Sequence, residues 1–118
     1  MINPYVAVFV GHLIGDWIVQ TDWQAANKTR NAKALIQHML GYHLTLFVFM
    51  ILCMPLRTAW LILMVSYFTH SFIDLRWPVV RLMEITGSKP FSETLWGVLI
   101  VDQVLHVSIL LVTTGVVI

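Results

Sequence analysis

Four apolar runs separated by polar stretches organise the chain, at about residues 3–20, 34–54, 58–77 and 95–118. A helix needs about 20 apolar residues to cross a hydrocarbon core of about 30 Å. The pattern therefore predicts an all-α membrane protein, with four transmembrane helices in an antiparallel bundle. Asn3-Pro4 supplies a cap and a first-turn proline for the first run. The polar stretch from Thr21 to Lys33, with Asp22, Asn27, Lys28, Thr29, Arg30 and Asn31, reads as a loop or a surface helix. Pro55-Leu56-Arg57 leaves room only for a tight turn, so the second and third runs form a helical hairpin. Pro78 ends the third run. Residues 78–94 mix Val79, Val80, Leu82, Met83 and Ile85 with Arg81 and Glu84 before Gly87 and Pro90, which predicts a short helix in the membrane interface.

Composition points the same way. The 118 residues are 58% hydrophobic and 11% charged, with a mean hydropathy of +0.81, whereas soluble domains average about 45–50% apolar and about 25% charged. The length allows one domain, residues 1–118, and little beyond the four spans. A net charge of +1 without a basic run argues against a nucleic-acid partner. Cys53 has no second cysteine to pair with, so no disulfide forms within the chain. The first run lacks a basic start and a small-residue cleavage site and holds His12 and Asp16, so it reads as a span rather than a signal peptide.

Six of the seven Lys and Arg residues, Lys28, Arg30, Lys33, Arg76, Arg81 and Lys89, fall in the stretches after the first and third runs. Only Arg57 lies opposite. The positive-inside rule then places both longer loops in the cytoplasm and both termini outside. Trp23, Trp77 and Trp96 mark the cytoplasmic interface, and Tyr5 and Trp60 the outer one.

Ionisable residues inside the runs carry the candidate chemistry. Each costs about 2.5–3.5 kcal/mol at a helix centre on insertion scales, so a common reason is needed for six of them. His12/Asp16 and His70/Asp74 are four apart, as are Asp102/His106 in the opposite order, and four residues is one helical turn. The order reverses where the helix direction reverses, which keeps each Asp on the cytoplasmic side of its His. At about 1.5 Å per residue, His12, His43, His70 and His106 form a layer roughly 10–17 Å deep. Asp16, Asp74, Asp102 and His38 form one roughly 4–11 Å deep by the same arithmetic. Imidazoles and carboxylates converging from facing helices suit a divalent metal, Zn²⁺ foremost, then Mn²⁺ or Fe²⁺. The candidate ligands are His12, Asp16, His43, His70, Asp74, Asp102 and His106. His38 and His43 lie about 140° apart around one helix, so a regular helix does not aim both inward; His43 is the expected ligand, with His38 nearer the surface. Gln20 and Gln103 are candidate partners of these ligands, and Gly11, Gly15, Gly41 and Gly97 suit close helix contact.

The segments Gly11-His12-Leu13-Ile14-Gly15-Asp16-Trp17, Gln20-Thr21-Asp22-Trp23, Asn27-Lys28 and His38, then the pairs His70/Asp74 and Asp102-Gln103/His106, resemble a family of small bacterial and phage integral membrane proteins catalogued as the domain of unknown function DUF3307. The resemblance covers nearly the whole chain and implies a bacterial inner-membrane location without supplying an activity. The His-x-x-x-Asp pairs alone are similar to predicted inner-membrane metal-dependent hydrolases, whose other His-rich segments have no clear counterpart here. The function expected is a metal-binding membrane protein, a hydrolase of a lipid or other membrane-associated ester or phosphoester, with Asp16, Asp74 or Asp102 as general base. The alternatives are a metal-free proton or cation relay, or small transporter, working as a homo-oligomer, and a phage-type pore or scaffold.

Overall fold

A computed structural model describes residues 2–118. The described residues are helical, without strands. Helix α1 (Pro4–Leu13) starts where Asn3 Oδ1 accepts from the backbone N–H groups of Tyr5 and Val6, with Pro4 in its first turn. It continues without a break into a π-helical turn at Ile14–Ile18. A reciprocal Thr21/Gln24 capping box opens α2 (Asp22–Asn27), and Asn31 caps α3 (Ala32–Ile51). After the turn at Pro55 come α4 (Leu56–Asp74), α5 (Trp77–Ile85), the short α6 (Lys89–Ser92) and α7 (Leu95–Val117).

Helices α3 and α7 are each long and apolar enough to cross a membrane. Helices α4 and α5 pass the same criterion only as a pair bent by 75°, and Pro4–Ile18 is apolar but shorter. Length and composition therefore give two spans, or three with the bent pair, where the sequence pattern suggests four. The bend lies ahead of Pro78, which sits in the first turn of α5 instead of ending α4. The chain turns at Arg76, whose φ of 68° lies in the left-handed region that non-glycine residues seldom adopt. The expected interfacial segment 78–94 is thus two helices. Val79 and Met83 of α5 are buried against Ile73 and Val98, which folds α5 back over the ends of α4 and α7.

Packing runs from α1 to α3, α3 to α4, α4 to α7 and α7 back to α1. Apolar side chains line the outside: Phe9, Leu40, Leu44, Phe68, Val104 and Val112 are all exposed, while most of the His and Asp side chains are buried. That inversion of soluble-protein burial suits a lipid surround. Between the helices, Val8, Leu46, Met50, Ala59, Ile62 and Leu110 join Tyr42 in an apolar cluster on one side of the polar residues. Close approach depends on glycine. A Cβ on Gly15 would sit 2.9 Å from the Tyr42 ring and 3.2 Å from its carbonyl oxygen, and one on Gly97 would overlap the Phe91 carbonyl.

Candidate metal centre

Asp16 owes its position to the π turn. Such turns carry five-residue hydrogen bonding, and here Val19 N–H reaches the Ile14 carbonyl at 2.9 Å. Gly15 lets the turn lie against the α3 backbone, and Asp16 points inward, 4% exposed. His38 projects from the first half of α3, and His70 and Asp74 from the last turns of α4.

Four atoms converge. Asp16 Oδ1 lies 3.1 Å from His38 Nε2 and 3.6 Å from His70 Nε2. Asp74 Oδ2 is 3.0 Å from His38 Nε2 and 3.1 Å from His70 Nε2, and the two imidazole nitrogens are 3.2 Å apart. Ligands at about 2.0–2.1 Å in a tetrahedron would be about 3.3 Å from one another, so these separations match the edges of a small metal site. Protons alone satisfy them poorly. With both carboxylates ionised, each Nε2 needs a hydrogen for its carboxylates, yet two such hydrogens would collide across the His38–His70 contact.

Lys28 was legible in the sequence only as loop charge. Its ammonium reaches in from the end of α2, 3.2 Å from Asp74 Oδ2 and 3.8 Å from Asp16 Oδ1. Asp16 and Asp74 share that one ammonium, and Asp102 adds a third carboxylate next to Asp16. A divalent cation beside neutral imidazoles closes that balance.

The other histidines divide by what their nitrogens do. Trp17 Nε1–H donates to Gln103 Oε1 at 3.2 Å, which fixes the amide orientation. His12 therefore donates from Nε2 to the same oxygen at 2.9 Å and accepts from the Tyr42 hydroxyl at Nδ1, also at 2.9 Å. Both its nitrogens are committed away from the four-atom group. Gln103 Nε2 in turn donates to Asp16 Oδ2 and Asp102 Oδ2, at 2.8 and 3.1 Å. His12 and Gln103 orient the carboxylates. His43 donates from Nδ1 to the Met39 carbonyl at 2.8 Å, and its Nε2 meets Ser66 Oγ at 3.2 Å. Of the two α3 histidines, it is His38 that faces the carboxylates. His106 and Asp102 stand next to the group, on the Asp74 and Asp16 side. Gln20 donates to the Asp16 backbone carbonyl at 3.2 Å.

A cavity of about 480 Å³ opens onto Asp16, Asp74 and Asp102, and Lys28, Arg76, Leu95, Val98 and Leu99 also line it. Trp17 and Gln103 also border an outward-facing apolar groove between α1 and α7.

Membrane-competent helices around a buried His/Asp cluster with metal-ligand spacing define a membrane-associated protein with a candidate metal site. The chain matches, over residues 5–118, the family described as "Protein of unknown function (DUF3307)", and it belongs to that family. No curated protein and no solved structure matches it, so the similarity to metal-dependent hydrolases has no support beyond the spacing of the His/Asp pairs.

Proposed function

We propose that the protein is an integral membrane, metal-dependent hydrolase of a membrane-associated ester or phosphoester. The spacing of Asp16 Oδ1, His38 Nε2, His70 Nε2 and Asp74 Oδ2, 3.0–3.6 Å across five measured pairs, carries this reading. Asp16, His38, His70 and Asp74 would hold a divalent ion, which would supply a water of lowered pKa and a Lewis acid for the substrate's oxygen. Asp102, partly exposed at the cavity, is placed to take the proton. Lys28 and Arg76 offer cationic contacts to an anionic headgroup, and the α1/α7 groove offers its chain an apolar path. Metal analysis of the purified protein should find at least one Zn²⁺, Mn²⁺ or Fe²⁺ per chain, falling below a tenth of that in His70→Ala. Substoichiometric metal in the unaltered protein would remove the proposal's basis.

All four longer segments cross the bilayer in this reading, with the α4–α5 bend at the interface. The stretches carrying Lys28, Arg30, Arg81 and Lys89 then face the cytoplasm, and both termini the outside. In a Cys53→Ala background, a membrane-impermeant thiol reagent on intact cells should label Ile2→Cys and spare Thr29→Cys and Ser88→Cys. The reverse labelling would invert the topology and turn the cavity outward.

A further inference from the structure

The four-atom group leaves His106 unexplained. Its Nδ1 lies 2.9 Å from the Asp102 backbone carbonyl, which can only accept, so Nδ1 carries a hydrogen. In a neutral ring Nε2 is then a bare lone pair. That atom is buried without a hydrogen-bond partner, and it faces Asp74 Oδ1 at 3.5 Å. A lone pair opposite a carboxylate oxygen is repulsive unless something positive lies between them. An imidazolium proton would have to bridge 3.5 Å, beyond the usual 2.7–3.2 Å or so of an N–H···O bond. A cation about 2.1 Å from each atom at a tetrahedral angle would set them about 3.4 Å apart. The backbone carbonyl on the opposite ring nitrogen is also the usual anchor of a metal-ligating histidine.

Two further ligands are at hand. One oxygen of Asp16, one of Asp102 and a ring nitrogen of His106 lie within 4.8 Å of one another. Asp16 and Asp74 are each shared between the two groups. Asp74 turns Oδ2 to His38 and Oδ1 to His106, and Asp16 turns Oδ1 to His38 and Oδ2 to the Gln103 amide that also holds Asp102. For Asp74, opposite oxygens facing imidazole nitrogens of the two sets is the geometry of a bridge, and Asp16 is shared by its proximity to both sets.

We infer that the protein binds a second divalent cation, on His106, Asp102, Asp16 and Asp74 Oδ1, joined to the first through the carboxylates of Asp16 and Asp74. This rests on the proposed metal site and narrows its chemistry, with Asp102 then a ligand rather than the acceptor of the proton. Two ions about 3.5–4 Å apart would clamp both the attacking and the leaving oxygen of an in-line displacement, which suits a phosphoester. The first ion and Lys28 together neutralise the three carboxylates, so the second brings excess charge. It therefore binds more weakly and is tightened by an anion.

Mn²⁺ titration of the full chain in lipid nanodiscs, with and without inorganic phosphate and read by electron paramagnetic resonance, tests this. Two ions per chain are expected. The second should bind at least tenfold more weakly, tighten with phosphate and produce an exchange-coupled signal. His106→Gln and Asp102→Asn should each keep the first ion and lose the coupling. Saturation of the unaltered protein at one uncoupled ion would overturn the second site and leave the first standing, and retention of two coupled ions in His106→Gln would overturn its ligand assignment. Binding of no ion would overturn both sites.

Discussion

Asp74→Ala is expected to abolish metal binding and to destabilise the metal-free protein by about 3–5 kcal/mol, the usual cost of removing one partner from a buried charge network. This carboxylate meets His38, His70, His106 and Lys28 within 3.0–3.5 Å. Its loss leaves the Lys28 ammonium with Asp16 Oδ1 at 3.8 Å as its nearest acid. Asp74→Asn keeps the shape and discards the charge, so it should retain more stability while still losing at least about a hundredfold in metal affinity, the upper end of what losing an outer-shell partner costs. Denaturant titration with metal binding on the same samples reads both effects. Wild-type affinity in Asp74→Ala would remove this residue from the site.

Gly15→Ala should reduce metal affinity at least tenfold although it alters no ligand. The new Cβ would meet the Tyr42 carbonyl oxygen at 3.2 Å and its Cα at 3.3 Å, backbone that cannot swing aside, as well as the ring at 2.9 Å. The π turn must then move, and Asp16 with it. Overpacking of this kind costs about 1–3 kcal/mol. Gly11→Ala is the matched control. Its Cβ would meet Phe49 and Leu46 at 3.2–3.3 Å, farther from the carboxylates, so a similar loss of stability should leave metal affinity within about threefold. Equal affinity losses in the two variants would show that the π turn does not position Asp16.

Much of this was legible because burial of ionisable groups is costly in an apolar surround. The His12/Asp16, His70/Asp74 and Asp102/His106 pairs draw attention for that reason, and helical spacing puts each pair on one face. The helix starts at Asn3-Pro4 and after Pro55 also follow from local chemistry. What local chemistry does not encode is where the chain departs from regular helix. A π turn shifts the register of His12 against Asp16, so equal spacing does not give them equal roles: Asp16 joins His38 while His12 is held by Tyr42 and Gln103. The four-atom group takes Asp16, His38 and Asp74 from the shallower layer and only His70 from the deeper one, because Ser66 and the Met39 carbonyl occupy His43. Lys28 is hidden for another reason: one positive charge in a polar stretch serves topology and ion pairing equally well. The bend before Trp77 depends on a left-handed Arg76, which no propensity would suggest.

The apolar cluster formed by Val8, Tyr42, Leu46, Met50, Ile62 and Leu110 also has a kinetic consequence. The cavity over Asp16 and Asp74 lies on the polar side of that cluster, so under the proposed function a polar product leaves past Lys28 and Arg76, by the way its headgroup came in. Departing product and arriving substrate then exclude each other. Turnover under the proposed function would be paced by how quickly the Lys28 and Arg76 side of the chamber clears, and a leaving group still bound there would act as a competitive inhibitor.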